Sequence, residues 1–250
     1  MGTDAALEKF ITAKLQFDGQ ARRVPNSVAI KEPSFRIEHK HLGSAVSIYQ
    51  LKPRFQALLR PLVGRLDAVG VTANQVTVFA CVVSVLLGLW LYFALPSAIA
   101  FALIPLWMLF RMALNAIDGM LAREFHQQST LGTFLNELTD VVADAALYLP
   151  FALVAPFEPF WIAVVITLAG LSEFAGALGP TVGASRRYDG PFGKSDRAFV
   201  FGGLGLWVAL AWPLPDWAEW LMPLLAVLTL VTIVNRVRGA IREVETAAGK

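Results

Sequence analysis

Between Asn115 and Asp144 an otherwise apolar chain gathers Asn115, Asp118, Arg123, Asn136, Glu137, Asp140 and Asp144, with Gly119 and Gly132 among them. Carboxylates beside hydrocarbon are costly and are retained mainly where they act or pair. At about 3.6 residues per turn, Arg111, Asn115, Asp118 and Ala122 share one helix face, with Gly119 beside them. Gly132, Asn136 and Asp140 succeed one another at i, i+4 spacing, and Asp144 continues that face one turn further. Residues 123 to 131 allow two antiparallel helices, so the polar faces can meet in a pocket of oxygen donors. Such donors suit a hard cation such as Mg2+, Mn2+ or Ca2+. Gly119 and Ala122 leave room for a ligand against the backbone, and Arg123 is placed to hold a phosphate oxygen. The chemistry implied is metal-assisted handling of a phosphate or diphosphate.

The elements that must position these residues are membrane spans. Of 250 residues 56% are hydrophobic and 16% charged, and the mean hydropathy is +0.57, beyond the usual range of soluble domains. Apolar runs over 76–95, 98–121, 131–154, 160–178, 198–212 and 217–234 predict an all-α integral membrane protein, a bundle of six transmembrane helices. Ahead of them, Ile48, Leu51, Phe55, Leu58, Leu59, Leu62, Val63 and Leu66 recur at helical spacing with Lys52, Arg54, Arg60 and Arg65 interleaved. This predicts an N-terminal amphipathic surface helix over 47–69. The chain then divides into an N-terminal extension (1–45), a membrane domain (46–242) and a short tail (243–250). The first forty residues are polar and predict no cleavable signal. Cys81 is the single cysteine, which excludes an internal disulfide and a Cys/His zinc site. The polar cluster occurs once and the two halves share no repeat, which argues against a transporter.

Lys and Arg fix the expected orientation. Eleven precede Thr72, Arg123 lies between spans two and three, four (Arg186, Arg187, Lys194, Arg197) lie between spans four and five, and four follow span six. The turns at Pro96, Pro156 to Pro159 and Pro213 to Pro215 carry none. The positive-inside rule therefore predicts that both termini and the Arg123 loop are cytoplasmic, with the active site on that side. Trp212, Trp217 and Trp220 mark the opposite interface.

Asp118-Gly119-x2-Ala122-Arg123, eight residues, then Gly132-x3-Asn136-x3-Asp140 resembles the D-x2-D-G-x2-A-R-x8-G-x3-D-x3-D pattern of the CDP-alcohol phosphatidyltransferase family, over roughly residues 50 to 240. The resemblance implies transfer of a substituted phosphate, phosphatidyl above all, from a CDP-linked lipid donor such as CDP-diacylglycerol to a hydroxyl of a small polar alcohol, with release of CMP. It also implies one or two divalent ions, Mg2+ or Mn2+, and a homodimer. Carried over by position, Asp118, Gly119, Ala122, Arg123 and Gly132 contact the CDP donor, and Asp140 is the base on the acceptor hydroxyl. The metal positions are Asn115, Asp118, Asn136 and Asp140. Asparagine replaces aspartate at the first and third of these, removing two formal charges while leaving a carbonyl oxygen. Asp144 is the better-placed compensating ligand, closer than Glu137 to Asp140 on the helix wheel. The alternative expectation is a non-catalytic or weakly active CDP- or lipid-binding membrane protein.

Beyond the motif, Arg187, Lys194 and Arg197 are expected to bind the acceptor, in a loop shaped by Gly190, Pro191 and Gly193. Arg111, buried by its position, should pair with Glu173 or a motif aspartate. His126, His39 and His41 read as surface residues. The expected partners are the CDP-linked donor, the alcohol and membrane lipids, with no nucleic acid.

Overall fold

A computed structural model describes residues 48–94 and 97–249, with side chains from Phe55 onward. The expected extension over 1–45 lies outside the described residues. Every regular element among the described residues is helical. Helix α1 (Ile48–Ala68) is followed by α2 (Ala73–Phe93), α3 (Leu103–Glu124), α4 (Thr130–Tyr148), α5 (Pro159–Ala177), α6 (Lys194–Ala209) and α7 (Leu221–Ala248). Short 3-10 turns precede α3 and α7 and extend α4 to Leu153.

Local sequence sets most boundaries. Thr72 accepts from the Gln75 amide while the Gln75 side chain accepts from the Thr72 amide, a capping box that starts α2. Ser129 accepts from the Gly132 amide at the start of α4. Pro159 occupies the first turn of α5, where a missing N–H costs nothing. α6 starts at Lys194, before the expected apolar run, because Asp196 accepts from the Gly193 amide.

Among the described residues four segments are long and apolar enough to cross a membrane: Ala73–Phe93, Ala98–Glu124, Pro159–Ala177 and Asp216–Ala248. α4 and α6 fall short of the six expected spans by composition and length. α4 carries Glu137, Asp140 and Asp144, and α6 has only 16 residues with Lys194, Asp196 and Arg197 near its start. On the apolar helices the large side chains face outward: Phe79, Val82, Leu86, Trp90 and Phe93 form an exposed stripe along α2. A stripe of that kind fits hydrocarbon, not water.

α1 docks on α3 through Leu59, Val63 and Leu66 against Ile117, Met120 and Leu121. At its other face Leu58, Leu62 and Arg60 are exposed, and Arg60 forks onto Glu124 at 3.0 Å through both nitrogens. The apolar core centres on Tyr148, Phe151 and Phe201, with Tyr148 and Phe201 stacked at 3.9 Å. α2 packs closely on α4. A Cβ at Gly88 would overlap the Ala146 backbone carbonyl, so the two helices approach there only because Gly88 has no side chain. Gly88→Ala should therefore destabilise the protein by about 1–3 kcal/mol. A detergent-solubilised melting curve reads this, and an unchanged midpoint would contradict the close approach.

Candidate functional site

Two cavities open at the end of the bundle where α2 and α4 begin and α3 ends. The first, about 350 Å³, is lined by Asn74 and Thr77 of α2, Asp118, Gly119, Ala122 and Arg123 of α3, the 127–129 turn, and Gly132, Thr133 and Asn136 of α4. The motif's one-turn spacing (118/122, 119/123, 132/136) brings these onto one wall, as the helical period requires. Asp118 is buried, and Thr77 donates its hydroxyl to Asp118 Oδ2 at 2.8 Å, with the Ala73 carbonyl also in reach at 3.0 Å. A Cβ at Gly119 would lie 2.9 Å from Arg123 Nη2. The missing side chain thus lets the Arg123 guanidinium fold back over its own helix against Gly119. An acidic floor, a basic rim and bare backbone can hold a phosphate-bearing ligand with its charge on both sides.

The second cavity, about 540 Å³, is lined by Asn115, Asn136, Glu137, Asp140, Glu173, Arg186, Lys194, Asp196 and Arg236, with Tyr188 and Ser195 at its edge. Asn136, Glu137 and Arg186 line both cavities, so they form the partition between them. Arg186 Nη1 contacts Glu137 Oε1 and its guanidinium lies 5.1 Å from the Tyr188 ring centre.

Beneath the cavities runs a buried ion network. Arg111 Nη2 lies 2.9 Å from Asp140 Oδ1, and Arg111 Nη1 donates to Asp144 Oδ1. Lys194 Nζ contacts the other oxygen of Asp140. Arg197, fully buried, lies 2.7 Å from Glu173 Oε1 and 4.0 Å from Asp144 Oδ2. Arg236 adds a 3.4 Å contact to Glu173 and donates to the Ser172 carbonyl. Ionised groups this deep persist only when paired in this way.

The loop before α6 is braced separately. Arg187 forks onto Asp189 at 2.7 and 2.9 Å and reaches Glu243 of α7 at 2.5 Å, while Glu243 also accepts from the Ser185 amide and hydroxyl. Hydrogen bonding from Arg187 holds the Asp189 carboxyl below the usual carboxylate range. A depressed pKa means that this brace is present at neutral pH and is lost as pH falls through that lowered range.

The structure thus places the predicted positions in three groups. Asp118, Gly119, Ala122, Arg123, Gly132 and Asn136 share the first cavity, and Asn115, Asn136, Asp140 and Lys194 share the second. Asp144 lies deeper, lining neither, and Arg197 lies beside it. Arg187 faces a different cavity, formed with Arg238 and Arg242 of α7. Arg111 pairs with Asp140 and Asp144, whereas Glu173 pairs with Arg197 and Arg236. Sequence reasoning missed Thr77 and the Arg186–Glu137 partition. Thr77 is a polar residue one turn into an apolar run that begins at the motif-bearing end, and that position was the available signal.

The sequence profile of the CDP-alcohol phosphatidyltransferase family matches residues 70–232. The inner membrane protein YnbA of Escherichia coli is 45% identical over 199 residues, covering 78% of this chain and 97% of that protein. An uncharacterized protein of Aquifex aeolicus is 34% identical over 102 residues, 41% of this chain and 48% of its own length. Among solved structures, the phosphatidylinositol phosphate synthase of Mycobacterium tuberculosis with CDP-DAG bound aligns with a TM-score of 0.59 at 22% identity, over 72% of this chain and 92% of that one. The same enzyme in complex with manganese and citrate aligns at 0.58 and 22%, over 72% and 87%. At this identity the structural likeness carries the fold. With four long apolar helices among the described residues, the chain is a multi-pass membrane protein.

Proposed function

Because the chain belongs to the CDP-alcohol phosphatidyltransferase family, we propose that it transfers a phosphatidyl group from CDP-diacylglycerol to a hydroxyl of a small polar alcohol and releases CMP. The observation that carries this reading is the pair of cavities meeting at Asn136, Glu137 and Arg186, with Asp118 on one side and Asp140 on the other. CDP would lie in the first cavity, its diphosphate toward Arg123 and the bare backbone at Gly119. The alcohol would lie in the second. Its oxygen attacks the phosphorus that bears the lipid, the bond from that phosphorus to the bridging oxygen breaks, and CMP leaves with the bridging oxygen. Asp140 takes the hydroxyl proton, and Arg111 keeps its carboxylate aimed.

The donors fit one divalent cation better than two. Among the described residues no group of three or more His, Cys, Asp or Glu side chains is gathered to hold a metal. Both oxygens of Asp140 and both oxygens of Asp144 face fixed cations. Asp118 remains, with the carbonyl oxygens of Asn115 and Asn136 as neutral donors, a set that suits Mg2+ or Mn2+ shared with substrate phosphates. When bound there the ion would neutralise diphosphate charge. Asn115→Asp with Asn136→Asp should raise Mn2+ affinity by about tenfold or more, because two neutral carbonyl donors become carboxylates. Titration followed by electron paramagnetic resonance reads this without turnover, and unchanged affinity would remove these positions from the ligand set.

A second reading, a CDP- or lipid-binding protein without turnover, is favoured by the same two asparagines. CMP release from CDP-diacylglycerol with Mg2+ or Mn2+ over a panel of alcohols decides between them. Release by the native chain supports the transferase, and release only after both asparagines become aspartate supports the binder. The proposal extends to a six-span bundle in which α4 and α6 also cross, with both termini and both cavities cytoplasmic. Its support is the Lys and Arg distribution. A homodimer, implied by the family resemblance, completes it.

A further inference from the structure

The acceptor's charge class follows from how the second cavity is already neutralised. The 186–197 segment carries four cations, three of them (Arg187, Lys194, Arg197) expected to bind the acceptor, and each of the four faces a carboxylate. Arg186 contacts Glu137, Arg187 contacts Asp189 and Glu243, Lys194 contacts Asp140, and Arg197 contacts Glu173. Arg187 and Arg197 also do not line this cavity. Of its walls, four carboxylates (Glu137, Asp140, Glu173, Asp196) stand against three cations (Arg186, Lys194, Arg236). Asp196 has no ion-pair partner among the described residues, its Oδ2 accepting only from the Gly193 amide at 2.8 Å.

A phosphate entering this space would meet, among the described residues of its walls, only cations already in contact with a carboxylate. To bind, it would have to strip a guanidinium or ammonium from a partner already in contact, and separating a partly desolvated pair is costly. Hydroxyl and ammonium groups meet the opposite situation, since the carboxylate oxygens left over by the ion pairs accept O–H and N–H donors. From this we infer that the acceptor is a small alcohol without an anionic group, a neutral polyol or an amino alcohol, and not a phosphorylated one. The inference rests on the transferase reading and narrows its substrate. It also separates this chain from its structural neighbour, which is a phosphatidylinositol phosphate synthase.

Matched pairs test it on the purified full-length chain in nanodiscs: glycerol against glycerol 3-phosphate, and inositol against inositol 1-phosphate. With CDP-diacylglycerol as donor, kcat/KM for CMP release should be at least about tenfold higher for the unphosphorylated member, the scale of one misplaced charge. Preference for the phosphorylated member overturns the inference. A second measurement does not need turnover. Inorganic phosphate should leave the melting temperature of the CDP-bound native chain unchanged, and should raise it in Glu137→Gln, where Arg186 is released from its partner. Stabilisation of the native chain by phosphate, or no phosphate effect in Glu137→Gln, overturns the charge argument. If no alcohol supports CMP release while the phosphate result is as expected, the transferase reading falls and the charge class of the cavity stands.

Discussion

Asp118→Ala is expected to lower kcat for CMP release by on the order of 10²–10³-fold, the scale of losing one preorganised charge-stabilising group, while the protein remains folded. The carboxylate is buried and lines the first cavity together with Gly119 and Arg123. It is also the single carboxylate among the motif positions to which no cation is paired among the described residues. Its removal therefore takes away the charge left to organise a diphosphate and its counter-ion. Folding should survive because the one group it leaves behind, the Thr77 hydroxyl, has the Ala73 carbonyl 3.0 Å away as a second acceptor. Membrane extracts and melting curves of purified protein establish folding, and CMP release establishes the rate. Near-native turnover in the Ala variant would remove Asp118 from the chemistry altogether.

Arg111→Met is expected to have the largest effect on stability, about 3–5 kcal/mol, the cost of leaving one member of a buried ion pair uncompensated. The side chain is buried on α3, and its two terminal nitrogens hold α4 at Asp140 and at Asp144, one turn apart. Methionine keeps an unbranched apolar stem but abandons Asp144, which is buried, with Arg197 4.0 Å away as its remaining cation. Arg111→Lys keeps the charge and loses the fork, so an intermediate loss is expected. Adding Asp144→Asn to Arg111→Met removes the stranded charge and should restore part of the melting temperature. If the double variant is no more stable than Arg111→Met, charge burial is not the cause.

Helix period made the wall of the first cavity legible in the sequence. Asp118, Gly119, Ala122 and Arg123 on one helix and Gly132 and Asn136 on the next had to meet once residues 123 to 131 closed the turn. The partner of Arg111 was legible for the same reason, because a buried guanidinium on the Asp118 face has few carboxylates within reach. Wheel angles could not say which carboxylate oxygens a cation would claim. Asp144 lies on the right face of α4 for a metal ligand, yet Arg111 reaches it from below and it faces neither cavity. Arg187, Lys194 and Arg197 read alike as loop cations, but their fates depend on Asp189, Glu243, Asp140 and Glu173, contributed by other elements and by the loop's own bend. Two of the six expected spans fall short of the length and apolarity of the rest for a related reason. α4 gives its length to carboxylates and α6 is short, features that a bundle tolerates when those faces turn inward.

One amide fixes a distance that matters to any ligand with a lipid tail. Gln127 accepts from the Ala73 amide at 2.8 Å and donates to Asp67 at 2.8 Å. It thereby ties the end of the surface helix, the start of α2 and the rim of the first cavity to one another. Arg60 fastens the same helix to the end of α3. With this helix at the lipid headgroups, as its basic amphipathic sequence leads us to propose, a helix that cannot slide relative to the cavity would act as a gauge. It would set how far above the acyl chains the cavity mouth sits, and hence which head-to-tail lengths could place a headgroup inside while the tails stay in oil.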